Sequence, residues 1–240
     1  MKNKTIIDIR YYGVEDYHFD IPYIGDRYAR KLREFDFKTG DYDHIYINFV
    51  DSLQEGHVEI TPNLNEDWFI YVNIGVSVNK FNRLNPDEKF IFKIELTTEV
   101  LRALCERDGL DFEIVKKVKK MMLKYKTELE IVHKEKETAK YKVVISHQIR
   151  PLNKASISFV EYTDKITGVS MKKVLTKLKK YRDIYFLVSS ISVTKDVVTL
   201  KPRISSTAEV HLRSYRTPIQ IPIVDFFTND EKISSEVMFR

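Results

Sequence analysis

Acidic and imidazole side chains occur together between residues 41 and 59, and they are the groups in this chain that best fit acid–base or metal chemistry. The group consists of Asp41, Asp43, His44, His57 and Glu59. Carboxylates and imidazoles hold divalent cations, and a bound cation can activate water. The side chains would converge if the two strands that carry them paired. The last two residues, however, alternate with Val58 and Ile60, which predicts an exposed polar face and no metal site. A metal-dependent hydrolase stays an alternative.

Other catalytic motifs are absent from the sequence. The 7 glycines are scattered singly, so no glycine-rich phosphate loop is present, and no serine or cysteine stands in a nucleophile elbow. Cys105 is the only cysteine, and its helical neighbours Leu101 and Leu104 predict a buried, unreactive thiol. His147 and His211 fall in polar positions of predicted strands, where we expect structural roles. The sequence favours a protein that is not an enzyme and needs no cofactor.

Two lysine-rich segments are predicted to be helices, and their lysines could follow the phosphate backbone of a nucleic acid. The lysines are Lys116, Lys117, Lys119 and Lys120 in the first segment and Lys172 and Lys173 in the second. Each predicted helix has an apolar opposite side, so a solvated lysine face is the simpler interpretation. A nucleic-acid-associated or phage accessory protein stays a second alternative function.

Acidic and aromatic residues are interleaved in the N-terminal part of the chain, which is the pattern of a protein-binding surface. The candidate partner-binding residues are Glu15, Asp16, Tyr17, Asp20, Tyr23, Asp26, Asp41 and Asp43. Aromatic rings provide anchors at interfaces, and carboxylates attract a basic partner. The simpler alternative is that the rings point inward and the acids point outward. The first interpretation predicts a protein partner with a basic surface.

Composition limits the protein to the globular class. The chain has 240 residues, of which 43% are hydrophobic and 31% are charged. Residues 1–96 hold 12 Lys and Arg against 17 Asp and Glu, whereas residues 97–240 hold 28 against 18. This asymmetry suggests complementary halves or two partners. The start has no apolar signal segment, and no stretch is long and apolar enough for a membrane span. We therefore expect a cytoplasmic protein.

The elements that position these groups begin with one long predicted strand. Residues 68–78 alternate, with Ile70, Val72 and Ile74 on an apolar face, and the other face runs from aromatic to small and polar. The other predicted strands of the first half are 6–12, 43–50, 57–61 and 89–96. Helices are predicted at 26–35, from Thr97 or Thr98 to about Arg107, and after Asp111. The pattern is typical of an antiparallel meander with a helical cover.

The second half of the chain is predicted to contain similar elements in a similar order. A hairpin is predicted within residues 127–147, with a continued helix as the alternative, and a junction is predicted at 150–153. Strands are predicted at 156–162, 184–193, 197–200, 208–213 and 219–226, and a lysine-rich helix at 170–181. Pro218 and Pro222 indicate an edge position for the last strand. The predicted fold is α+β, with residues 1–150 forming an antiparallel sheet under helices. Residues 151–240 then form a second β-rich unit with one helix, which can continue the first sheet.

A whole-chain similarity completes the prediction. The segment from Asp41 to Asn48 reads Asp-Tyr-Asp-His-Ile-Tyr-Ile-Asn, and the chain is cysteine-poor, rich in Tyr and Asp, and without a catalytic motif. In these overall features the chain resembles the α+β immunity proteins of bacterial toxin systems. The resemblance implies a non-enzymatic cytoplasmic protein that binds and neutralises a macromolecule, such as a basic toxin domain. It assigns a role to no individual residue.

Overall fold

The protein is described from a computed structural model that covers residues 4–13, 22–61, 68–151 and 153–228. The chain divides into two compact units at Leu129 and Glu130. The sequence placed this junction at residues 150–153. It falls earlier because the strand that ends at Gln148 pairs with the strand that begins at Ser156, which keeps both in the second unit.

The first unit contains four strands and four helices within the described residues. They are β1 (Asp8–Tyr12), α1 (Pro22–Glu34), β2 (His44–Val50), β3 (Val58–Thr61), β4 (Phe69–Gly75), α2 (Val78–Arg83), α3 (Pro86–Asp108) and α4 (Phe112–Tyr125). The strands form one sheet in the order β1-β2-β4-β3. Predicted strands at 6–12, 43–50 and 57–61 and the helix after Asp111 are confirmed.

Pairing directions in this sheet differ from the predicted meander. β1 pairs with β2 in parallel, and β2 pairs with β4 in parallel, whereas β3 and β4 are antiparallel. The parallel pair of β1 and β2 follows from its connection, since the helix α1 carries the chain back across the sheet between these two strands. α1 begins at Pro22, so it is longer than the helix predicted from Asp26 and includes part of the predicted loop.

One face of the sheet forms the core of the first unit. Ile9, Ile45, Val72 and Ile74 are buried on this face together with apolar side chains of α1, α3 and α4. The described helices of the unit pack on this face, and the opposite face carries the alternate residues of each strand. Gly25 permits the close contact of α1 with β1, because a Cβ atom there would lie 2.0 Å from the carbonyl oxygen of Ile9.

The predicted strand at 89–96 is wrong, because these residues belong to α3. Asn85 caps this helix: its side chain accepts a hydrogen bond from the backbone of Glu88, and the Glu88 side chain returns one to the backbone of Asn85. Thr97 and Thr98 are therefore mid-helix residues and not caps. Their hydroxyl groups donate to the carbonyl oxygens one turn earlier. The predicted end at Asp108 and Gly109 is confirmed.

The predicted long strand at 68–78 is shorter in the structure. β4 ends at Gly75, where a Cβ atom would lie 1.9 Å from the carbonyl oxygen of Gln54. Ser77 then caps α2 by accepting a hydrogen bond from the backbone nitrogen of Lys80, so the chain cannot continue as a strand.

The second unit contains the antiparallel sheets of this α+β fold. β5 (Glu130–Glu137), β6 (Tyr141–Gln148), β7 (Ser156–Asp164) and β8 (Ser170–Leu178) form an antiparallel meander in that order. The remaining elements are α5 (Ile184–Leu187), β9 (Ser190–Val193), β10 (Val197–Lys201), α6 (Ser206–Leu212), β11 (Ile219–Pro222) and α7 (Ile223–Phe226). The hairpin predicted within 127–147 is confirmed, and the helical alternative is wrong.

Three predictions for the second unit are corrected. The segment at 170–181 is the strand β8 and not a helix, because it pairs with β7 along its length. Residues 184–193 divide into α5 and β9, and the strand predicted at 208–213 is the helix α6, which Ser205 caps. The strand predicted at 219–226 ends at Pro222, because Ile223–Phe226 form α7. Its edge position is confirmed among the described strands, since β11 ends the sheet β11-β10-β9. Each sheet lies within one unit.

The described helices give no candidate for a membrane span, since none joins sufficient length to sufficient apolarity.

Candidate functional site: an aromatic sheet face

The sheet face opposite the helices carries a cluster of aromatic side chains, which we call the aromatic face. It consists of Tyr12 on β1, His44 and Tyr46 on β2, Phe69 and Tyr71 on β4, and Trp68, which directly precedes β4 and packs against these rings. The parallel register places Arg10, Tyr46 and Tyr71 side by side across three strands. Because alternate residues share a face, the rings that are separate in sequence meet here.

Tyr46 lies at the centre of the cluster. Its ring centroid is 5.3 Å from that of Phe69, 5.4 Å from Tyr71 and 5.8 Å from Tyr12. Trp68 and His44 stand edge-on to Tyr46 at 6.4 and 6.3 Å. Burial by these neighbours raises the pKa of Tyr46, and the charge of Arg10 offsets part of this. The tilted and edge-on arrangements are the favourable ones for aromatic pairs, so the rings of the cluster stabilise one another.

The outer rings of the aromatic face remain accessible to solvent. Tyr12, Trp68 and Tyr71 keep 44%, 39% and 39% of their surface exposed, although Tyr46 beneath them is buried. No described helix of the first unit covers this face. Contiguous exposed apolar surface with a polar surround marks an interaction site, and Trp and Tyr are the most common binding anchors. The arrangement can therefore bind a macromolecule.

Polar groups surround the aromatic face, and their balance is acidic. The guanidinium of Arg10 lies 5.7 Å from the Tyr46 centroid and donates to Asp8 at 2.6 Å, so its charge is neutralised locally. Asp43 contacts the imidazole of His44 at 2.6 Å. Glu59, on the same face of β3, is exposed and lies 3.7 Å from His57. Arg10 is the one Arg or Lys among the described residues on this face of the four strands.

The predicted partner-binding residues divide into three groups. Glu15, Asp16, Tyr17 and Asp20 lie outside the described residues. Tyr23 and Asp26 are half-buried on α1, where Asp26 is 4.0 Å from Arg30. Asp41 is exposed ahead of β2, and Asp43 borders the aromatic face. Asp43 is thus the predicted acidic residue that lies next to the aromatic cluster.

The predicted lysine surface has a different structure in its two segments. Lys116, Lys117, Lys119 and Lys120 lie on α4 as expected, but Lys116 pairs with Glu113 and Lys119 with Glu95. Lys117 lies over the ring of Phe35 at 3.9 Å. On β8, Lys172 pairs with Glu130. Lys173 is buried and donates to the backbone oxygen of Asp225 and to Thr228, so it stabilises the end of α7 and cannot contact a phosphate.

The acid and imidazole group at 41–59 does not converge. β4 lies between β2 and β3, and β3 runs antiparallel to it. Asp43 and His44 are therefore at the start of β4, whereas His57 and Glu59 are near its end. Within the described ranges, no group of three or more His, Cys, Asp or Glu side chains could hold a metal ion. The premise of the hydrolase alternative is not met.

His147 and His211 take part in local hydrogen bonding. His147 is buried and lies 3.2 Å from the hydroxyl of Tyr185. His211 contacts the buried carboxylate of Asp183 at 2.8 Å, and the Tyr215 hydroxyl donates to the same carboxylate at 2.9 Å. Burial raises the pKa of Tyr215, and its proton therefore stays on the hydroxyl. These contacts hold the turn before α5 and involve no nucleophile.

The sequence did not identify the aromatic face, although a signal was present. Aromatic residues alternate at Phe69 and Tyr71, and Tyr46 and Tyr12 lie on the same face of two other strands. The cluster can be found only when the strand order is known, and the alternation of residues along a strand does not reveal that order.

Comparisons with protein-family models, curated proteins and solved structures found no match for this chain.

Proposed function

We propose that this chain is a non-enzymatic binding protein that neutralises a macromolecular partner, and that the aromatic face is its binding surface. The observation that carries the proposal is the exposure of Tyr12, Trp68 and Tyr71 over the buried ring of Tyr46. Rigid aromatic side chains bury a large area on binding and lose little conformational entropy.

Charge favours a protein over a nucleic acid as the partner. Stacking of bases on a sheet can also use aromatic rings, but nucleic acid binding needs cations that neutralise phosphates. On the aromatic face the charge of Arg10 is balanced by Asp8, and Asp43 and Glu59 add negative charge. The surface therefore fits a partner with apolar groups at its centre and Lys or Arg at its rim.

The resemblance to bacterial toxin-immunity proteins supports a basic toxin domain as this partner. We place the interaction in the cytoplasm, since a single cysteine is typical of a reducing compartment. The acidic residues Glu15, Asp16 and Asp20 add to the attraction in this proposal, because long-range charge acts on the rate of encounter.

The experiment is an affinity capture from the native host with three forms of the protein. The first is wild type, the second carries Tyr12→Ala and Tyr71→Ala on the aromatic face, and the third carries Tyr125→Ala on α4. Tyr125 is a matched control because it is 41% exposed and lies away from the sheet. We expect one stoichiometric basic protein with wild type and control and its loss with the face variant. Equal recovery of the partner by all three forms would exclude the aromatic face as the binding surface.

A further inference from the structure

The aromatic face already holds one guanidinium group, that of Arg10. Its guanidinium carbon lies over the ring of Tyr46, 5.7 Å from the centroid, and its Nε donates to the carboxylate of Asp8 at 2.6 Å. The group thus contacts an aromatic ring and a carboxylate at the same time, and both are favourable partners for a planar cation. This contact shows how the face accommodates an arginine side chain.

An aromatic ring and a carboxylate lie side by side a second time, directly before β4 and β2. Trp68 keeps 39% of its surface exposed, and the rings of His44 and Tyr46 stand edge-on to it at 90° and 89°. The backbone nitrogen of Asp43 donates to the carbonyl oxygen of Trp68 at 2.9 Å, which keeps the acid next to the indole. We call Trp68 and Asp43 the indole–acid pair.

The carboxylate of Asp43 has room for another hydrogen bond. Its Oδ1 contacts Nδ1 of His44 at 2.6 Å, and 19% of the side chain is exposed. Among the described residues this is the one hydrogen bond of the Asp43 side chain, and a carboxylate can accept several. Arg10, the one Arg or Lys described on this face, pairs with Asp8 instead. The described residues therefore place no arginine or lysine at the indole–acid pair.

On the basis of the proposed function, we infer that the indole–acid pair is a binding subsite for an arginine side chain of the protein partner. The guanidinium stacks on the indole of Trp68 and donates to Oδ2 of Asp43, as Arg10 contacts Tyr46 and Asp8. Arginine fits better than lysine, because a guanidinium is planar, stacks on aromatic rings and donates several hydrogen bonds in one plane. An ammonium group is compact and more strongly hydrated.

The acid beside the indole also separates this occupant from a nucleic acid. A base could stack on the exposed ring of Trp68, because every base has a flat aromatic surface. Its phosphates, however, would then lie near the carboxylate of Asp43, and Glu59 adds a second negative charge on the same face. Like charges repel, so the charge of the face favours a cationic side chain.

The test follows the indole N–H signal of Trp68 in two-dimensional NMR spectra of labelled protein, since the chain contains a single tryptophan. The probes are N-acetyl-arginine methylamide and the corresponding lysine and citrulline derivatives. Citrulline has nearly the shape of arginine without its charge. At matched ionic strength we expect the arginine probe to shift the signal in a saturable manner, with a Kd on the order of 10 mM. The lysine probe should bind more weakly, and the citrulline probe should give no saturable shift.

Two variants measure the contribution of the acid. Asp43→Asn should raise the Kd of the arginine probe by about threefold or more, because it removes the charge and keeps the shape of the side chain. Glu59→Gln is the matched control, since it removes the same charge from the same face. Glu59 lies opposite Asn73, near the other end of β4. The Kd of this control should stay at the wild-type value.

The outcomes distinguish the subsite from the proposed function. No saturable shift with the arginine probe, equal shifts with the arginine and citrulline probes, or equal Kd values for Asp43→Asn and Glu59→Gln would overturn the subsite. Partner binding by the aromatic face is decided separately by Tyr12→Ala and Tyr71→Ala, which leave the indole–acid pair in place. With the captured partner, Asp43→Asn should lower the affinity by about tenfold. An unchanged affinity would overturn the assignment of the arginine to that partner.

Discussion

The assignment of the two sheet faces can be tested with adjacent residues of β4. Ile74 is fully buried on the helix-covered face, and Asn73 is half-buried on the face of the aromatic cluster. Ile74→Ala leaves a cavity in the core, which costs about 2 to 5 kcal/mol. Asn73→Ala removes one hydrogen bond, 2.9 Å long, that Asn48 donates, and this costs about 1 kcal/mol or less.

The assay follows the emission of Trp68, the only tryptophan in the chain, which lies in the first unit. Its signal therefore reports the unfolding of this unit even if the two units unfold separately. For a unit of this size we expect Ile74→Ala to lower the Tm by at least about 6 °C and Asn73→Ala to lower it by less than about 4 °C. If the two variants lose the same stability, the face assignment is wrong.

Three further predictions concern individual groups. Cys105 should not react with a thiol reagent at pH 8 in the native protein, because burial raises the pKa of its thiol to about 12, and it should react after denaturation. Asp108→Asn should cost about 1 to 3 kcal/mol at pH 7. Burial alone would raise the pKa of Asp108, but hydrogen bonds from Arg107 and Tyr42 lower it, so in urea titrations the cost should be complete above pH about 4 and vanish at lower pH. Duplex DNA should not bind at low salt; binding that weakens steeply with salt would instead support the lysine-surface alternative.

Local sequence patterns correctly predicted the elements that bury one face and expose the other. The strands β1 and β2 show the period of two that a half-buried strand requires, and α4 shows both its cap and its apolar stripe. The direction of pairing was not accessible, since a strand has the same alternation in a parallel and an antiparallel sheet. The chain order gave no sign that β4 inserts between β2 and β3.

Two elements were missed for identifiable physical reasons. In α3, Phe90 and Ile94 satisfy a helical spacing and an alternating one equally, so the cap at Asn85 is the signal that decides for a helix. In β8, the register shifts opposite Ser158 and Phe159, which buries adjacent residues and disturbs the alternation. The lysines of this strand then matched a helical pattern.

The candidate site was partly accessible from the sequence. Interleaved acids and aromatics indicated an interface in the N-terminal part, and Asp43 borders the aromatic face. The rings themselves come from three strands that are far apart in the chain, and their contact depends on the register of the sheet.

The most direct test of the proposed function is the affinity of the captured protein for the same three forms of this chain. Each aromatic anchor contributes about 2 kcal/mol or more at a binding surface, which corresponds to a loss of about 30-fold in affinity. We expect the Kd of the protein with Tyr12→Ala and Tyr71→Ala to rise by at least this factor, with the Kd of Tyr125→Ala unchanged and all three forms folded. A face variant that binds with the Kd of wild type would contradict the account.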